Sequence, residues 1–99
     1  MLYNDAITSD TGCAFDSSNN KVVIAFKDHG NSNYGTAIVG TVSGTSISFG
    51  SEVVFEAATT DNISVGYDAS AQKITIAYRD AGNSSYGTYV IGTVSGTSI

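Results

Sequence analysis

Apolar and polar residues alternate with period two over much of this chain. Ile63, Val65 and Tyr67 alternate with Ser64, Gly66 and Asp68, and Ile74, Ile76 and Tyr78 alternate with Thr75 and Ala77. Successive side chains of a β-strand point to opposite faces, so this spacing predicts strands. Each unit is expected to hold four of them. Strand A covers 63–68, matched by 11–16, and strand B covers 73–79. Strand C covers about 86–94, and strand D about 46–55, with Ile47, Phe49, Val53 and Phe55 on one side. Turns are expected where Asp, Asn, Ser and Gly cluster, at 16–20, 28–33 and 43–45. No window of 11 residues carries a helical period. Strands B and C have apolar or small residues on both faces, with Val22, Ile24 and Phe26 opposite Val23 and Ala25, which suits a sheet stacked between two neighbours.

The pattern recurs. Residues 21–28 (KVVIAFKD) return as 73–80 (KITIAYRD), and 40–47 (GTVSGTSI) return unchanged as 92–99. At an offset of 52, residues 1–47 and 53–99 share 22 identities over 47 pairs, and many of the remaining pairs are conservative, such as Tyr3/Phe55, Phe15/Tyr67, Phe26/Tyr78 and Lys27/Arg79. The chain therefore reads as two copies of one unit, repeat 1 over about 1–52 and repeat 2 over about 53–99. Residue 99 matches position 47 and residue 1 matches position 53, so only the equivalents of 48–52 are missing between the end of one chain and the start of another.

Composition narrows the function. A chain of 99 residues makes one small domain that buries about 60–68% of its unfolded surface. Its 41% apolar and 13% charged residues exclude a disordered tail, and eleven Gly with no Pro exclude collagen. A formal charge of -5 without a basic patch argues against nucleic acid and anionic membranes as partners. One Cys excludes an intrachain disulfide, and Cys13, aligned with Val65, is expected to be buried in the core. Neither a signal peptide nor a membrane span is expected, and no cofactor or metal site is implied.

Four short antiparallel strands repeating every 52 residues resemble a β-propeller blade. The resemblance implies an all-β chain of two four-stranded antiparallel blades that cannot close alone and completes a β-propeller by homo-oligomerisation. Six blades in a trimer are favoured, and eight in a tetramer come next. Thr97-Ser98-Ile99 of one chain and Met1-Leu2-Tyr3 of the next would then form two halves of one D strand, making Leu2, Tyr3 and Ile99 the closure residues. This organisation is similar to that of small oligomeric propeller lectins, which implies carbohydrate recognition through inter-blade loops. Residues 80–86 (DAGNSSY) resemble the sialidase Asp box, with Tyr78 in place of its first Ser and one residue inserted before the aromatic. Other readings stand beside this one: a purely structural repeat, a fragment or engineered excision of a longer propeller array of phage or bacterial adhesion type with no ligand of its own, and a two-sheet sandwich.

The candidate ligand residues lie on the B–C loops. They are Asp28, Asn31 and Tyr34 in the first copy and Asp80, Asn83 and Tyr86 in the second, with Arg79 at the end of strand B. Carboxylates and amides can hydrogen-bond vicinal hydroxyls, and a Tyr ring can stack on a pyranose. The competing structural reading is an Asx-turn in which each Asp caps backbone N–H groups and Gly30 or Gly82 takes a positive φ. Lys27 and Arg79 sit beside Asp28 and Asp80, which predicts local charge pairing on the rim. His29 aligns with Ala81 and reads as a solvated loop residue. Asp28, Gly30 and Ser32 alternate as calcium ligands do, but the later acidic ligands are missing. The chain is not expected to be an enzyme. Paired Asp28 and Asp80 are the remaining candidates for glycosidase chemistry, a distant alternative.

Overall fold

The structure, a computed structural model, describes residues 2–99, so the closure role expected of Met1 falls outside the described residues. Seven antiparallel strands form one open sheet: β1 (Thr8–Asp16), β2 (Lys21–Asp28), β3 (Tyr34–Ser43), β4 (Ser46–Phe49), β5 (Val53–Asp68), β6 (Lys73–Asp80) and β7 (Tyr86–Gly92). Their order is β1-β2-β3-β5-β6-β7, with β4 also paired to β3. The all-β class expected from the period-two pattern is what the chain adopts. Among the described residues the one helical element is a 3-10 turn at His29–Asn31.

One boundary differs from the sequence reading. Strand D is interrupted at residues 50–52, and its second half runs on into the next strand A as the single 16-residue β5. At the break the backbone of Thr97 passes so close that only glycine fits: a Cβ at Gly50 would lie 2.0 Å from the carbonyl oxygen of Thr97. The Gly50 N–H still bonds Val39 O at 2.9 Å, so pairing to β3 resumes at Val53. The first half of β5 pairs with β3 and its second half with β6. The sheet therefore folds back on itself along this strand.

Register repeats at the offset of 52. Asp16 opposes Lys21 as Asp68 opposes Lys73, and Val22 opposes Gly40 as Ile74 opposes Gly92. Both copies also carry a register shift, between Ser9 and Gly12 and between Asp61 and Ser64. Asp10 and Asn62 take φ 53° there, the left-handed region that Asp and Asn tolerate best after Gly. The two bulges touch, the Asn62 N–H donating to Asp10 Oδ2 at 3.2 Å.

The core lies between the two halves of the sheet. Val23 and Ala25 of β2 and Ala37 and Val39 of β3 face Ile63 of β5 and Ile74, Ile76 and Tyr78 of β6, all of them buried. These faces are not equivalent. The repeat-mates of Val23, Ala25, Ala37 and Val39 are Thr75, Ala77, Tyr89 and Ile91, on the outer side of the second half. The repeat-mates of Ile74, Ile76 and Tyr78 are Val22, Ile24 and Phe26, on the outer side of the first, where Val22 and Ile24 are half-buried and Phe26 is fully buried beneath Tyr3. The repeats thus stack head to tail, and the molecule measures 40 × 32 × 16 Å. Cys13 belongs to the outer side of the first repeat and is exposed, against the expectation of a buried thiol, whereas its mate Val65 packs on the core.

The loop glycines serve a different purpose from the one expected. Positive φ in the 28–34 and 80–86 loops falls on Ser32 and Asn33 and on Ser84 and Ser85, not on Gly30 or Gly82. A Cβ at Gly30 would lie 2.5 Å from the Ala6 Cβ, and one at Gly82 would lie 2.5 Å from the Ala58 Cβ. Gly30→Ala and Gly82→Ala are each expected to destabilise by about 1–3 kcal/mol through overpacking. Gly66→Ala, whose Cβ meets nothing within 4 Å, should leave the urea midpoint nearly unchanged. Equal losses at all three sites in urea titrations would refute the steric explanation.

Candidate functional site

The two long loops are built on their aspartates. Asp28 and Asp80 are buried at the ends of β2 and β6. Asp28 Oδ1 accepts the Gly30 N–H at 2.9 Å, and Asp80 Oδ1 accepts that of Gly82 at 3.0 Å. Asp28 Oδ2 also accepts Asn4 Nδ2 at 3.2 Å. The loops are then tied to the strand beside them, His29 N to Ile7 O at 3.0 Å and Ala81 N to Thr59 O at 2.9 Å. One oxygen of each carboxylate is committed to its own turn. The other candidates stand differently: Asn31, Asn83 and Tyr86 are exposed, and Tyr34 is half-buried. Among the described residues, Asn31, Asn83 and Tyr86 make no side-chain hydrogen bond.

Arg79 is exposed at the end of β6 and, with Lys27, belongs to a cluster that the sequence reading did not foresee. Both cations reach Asp61 and not the adjacent aspartates: Lys27 Nζ lies 2.6 Å from Asp61 Oδ1, and Arg79 Nη2 lies 3.3 Å from Asp61 Oδ2. Lys27 comes from the first repeat and the other two from the second, so the cluster spans the interface between them. Asp61 has Ser9 as its repeat-mate, and no periodicity in the sequence marks it. Ser9 Oγ instead meets His29 Nε2 at 2.8 Å. This hydroxyl–imidazole pair is exposed, and no carboxylate bonds the other ring nitrogen among the described residues, so it lacks the third member of a nucleophilic triad.

Three groups have displaced proton affinities. The hydrogen bond and charge of Lys27, together with Arg79, hold the Asp61 carboxyl below the usual carboxylate range despite partial burial. Burial alone would raise Asp16, but bonds from the side chain and backbone of Asn19 and from the Ser18 N–H outweigh it and lower its affinity. Burial raises the Tyr78 hydroxyl, which donates to Glu56 at 2.9 Å, and the Glu56 and Asp80 charges push the same way. A depressed carboxylate stabilises the fold above its unfolded value of about 3.9, and the benefit is lost as pH falls through the lower folded value. The urea midpoint is therefore expected to be flat from about pH 7 to 5 and to drop below about pH 4, with Asp61→Asn flattening part of the drop. A midpoint that rises on acidification would contradict this assignment.

A second feature is built from β3, β5, β6 and β7 and the C-terminal Ile99. An apolar cleft of about 170 Å³ is lined by Ala37, Val53, Phe55, Ile76, Val90, Ile91, Gly92 and Ile99, and includes none of the loop candidates. Ile99, expected to be a closure residue, folds back on Gly92 as Ile47 does on Gly40. Leu2 is 72% exposed, while Tyr3 stacks edge-on against Phe26 at 5.0 Å and 62°. That pair repeats Phe55 against Tyr78, at 5.2 Å and 64°. Comparison with family models, curated proteins and solved structures finds no match to this chain.

Proposed function

We propose that this chain is a self-assembling β-propeller repeat unit, whose two blades stack head to tail with those of further copies to close a ring that serves binding and architecture, not catalysis. The observation that carries the reading is the interface between the repeats. It joins two non-equivalent faces; on the outer sides of the chain the face of the second repeat stands open, while that of the first is open around Phe15 and covered at Phe26, where Tyr3 packs. Tyr89 and Ile91 are 68% and 54% exposed on one, and Phe15 is 54% exposed on the other. Contacts between unlike faces propagate, and they close when the rotation per copy divides the circle. A trimer then holds six blades and a tetramer eight.

The N-terminal segment supports this reading. Residues 53–59 line the edge of β3, with Thr36 opposite Val54, Gly35 opposite Glu56 and Tyr34 opposite Thr59. The same register on the free edge of β7 sets Leu2 of another copy opposite Thr88, Asn4 opposite Gly87 and Ile7 opposite Tyr86. The edge-on packing of Tyr3 on Phe26 already matches that of the strand it would extend. The test is absolute mass by light scattering on a size-exclusion column over a range of concentrations. A discrete species at three or four times 10.2 kDa is expected, and a well-folded monomer at all concentrations would sink the proposal.

Glycan recognition by the two loops is the second reading, favoured by the exposed side chains of Asn31, Asn83 and Tyr86, none of which makes a hydrogen bond among the described residues. Ring symmetry would multiply weak sites into useful avidity. A glycan array should show binding by the wild type that Asn83→Ala with Tyr86→Ala removes. Asp80 is left intact because its carboxylate holds the loop. A blank array across diverse glycans would refute this second reading.

A further inference from the structure

The charges around Asp61 form a belt across the repeats, and the belt lacks a carboxylate at one of its positions. Ser9 opposes Lys27 in the β1–β2 register, and its repeat-mate Asp61 opposes Arg79 in the β5–β6 register. Across the interface between the repeats Lys27 Nζ reaches Asp61 Oδ1 at 2.6 Å, so the order along the belt is Ser9, Lys27, Asp61, Arg79. Both repeats place a cation on the belt, but only the second places a carboxylate beside it. The two cations also differ in cover. The side chains of Lys27 and Asp61 are 16% and 17% exposed, whereas Arg79 is 50% exposed. Arg79 belongs to the open face of the second repeat, since it opposes Gly87 as Ala77 opposes Tyr89 and Thr75 opposes Ile91. Among the described residues its side chain makes a single hydrogen bond, to Asp61 Oδ2 at 3.3 Å, which leaves most of the guanidinium donors free.

We infer that assembled copies bind a small carboxylate between Arg79 of one copy and Ser9 and Lys27 of the next, in the place that the Asp61 side chain fills within the chain. The inference rests on the head-to-tail stacking proposed above and uses only the faces brought into contact. Stacking at the 52-residue offset sets Arg79 against Ser9 of the next copy as Lys27 is set against Asp61. Ser9 has a shorter side chain than Asp61 and no charge, so the place is left with a cation on either side and nothing to neutralise them. Ser9 Oγ meets His29 Nε2 at 2.8 Å, and with the ring N–H donating to it the hydroxyl has its own hydrogen to offer a ligand. The neighbouring carboxylate, Asp10, is engaged elsewhere, accepting the Asn62 N–H of its own chain at 3.2 Å. Asp61 defines the ligand class: an ammonium and a guanidinium already hold a carboxylate there, and a planar two-oxygen anion matches the arginine fork.

The test follows assembly of the full chain by light scattering at constant ionic strength, with sodium acetate in place of sodium chloride. Acetate is expected to lower the protomer concentration at half-assembly by about fivefold, the scale of one partly covered ion pair at each interface. Ser9→Asp supplies the missing carboxylate from the chain itself. It should lower the half-assembly concentration in chloride by a similar factor and no longer respond to acetate. Ser9→Asn occupies the same space without charge and should do neither. An acetate response that survives in either variant, or a Ser9→Asp chain that assembles no better than Ser9→Asn, would overturn the inference. Wild-type rings that form equally well in both salts would overturn it and leave the ring standing, whereas a chain monomeric in both would overturn ring and site together.

Discussion

Replacing Ile74 by Ala lowers stability by about 2–5 kcal/mol, because the side chain is fully buried between the two halves of the sheet and the site has little room to collapse. For a domain of this size that is a fall in melting temperature of at least about 10 °C. The informative comparison is with its repeat-mate. Val22 occupies the same place in the first repeat but is only half-buried, since no second sheet covers it within the chain. In a dilute monomer Val22→Ala is therefore expected to cost clearly less than Ile74→Ala, even after allowing for the smaller side chain. In an assembled ring Val22 would lie in a copy of the interface that buries Ile74, and its truncation would become costly and concentration-dependent. Thermal melts of both variants across a concentration series separate these cases. A Val22→Ala effect that is small at every concentration would count against stacking on that face.

Strand positions and the 52-residue offset were legible because both depend on local pattern: alternation of apolar residues and the turn chemistry of Asp, Asn, Ser and Gly. The Asx-turns at Asp28 and Asp80 were legible for the same reason. Features that need distant backbone to be brought together were not. Gly30 and Gly82 looked like φ residues, yet they are small because Ala6 and Ala58 pass against them. Lys27 is 34 residues from Asp61, and only the fold-back at β5 brings them to 2.6 Å. Cys13 shared its alternation with the buried Ile63 and half-buried Val65, but alternation cannot say which of two apolar faces finds a cover. The cleft was hidden for a related reason. Its walls, Ala37, Val53 and Phe55 with Ile76, Val90 and Ile99, come from distant strands that only the fold-back at β5 brings together.

Head-to-tail stacking makes a sharper claim than oligomerisation alone, and complementary variants expose it. Tyr89→Asp with Ile91→Asp places two charges on one open face, where burial without partners costs far more than the apolar contact returns. Phe15→Asp does the same on the opposite face, which also carries Val22 across the strand pair. Each side chain is more than half exposed within the chain, so circular dichroism and melting of the dilute variants should stay close to wild type. Alone, each variant is expected to run at 10.2 kDa, because a ring needs both faces of every copy. Mixed in equal amounts they retain one intact interface between them, the unaltered Tyr89 and Ile91 face of the Phe15→Asp chain against the unaltered Phe15 face of the other. The mixture should therefore yield a species of twice the chain mass and nothing larger. If assembly instead joined like faces about a two-fold axis, each variant would dimerise by itself through its undamaged face, and mixing would add nothing.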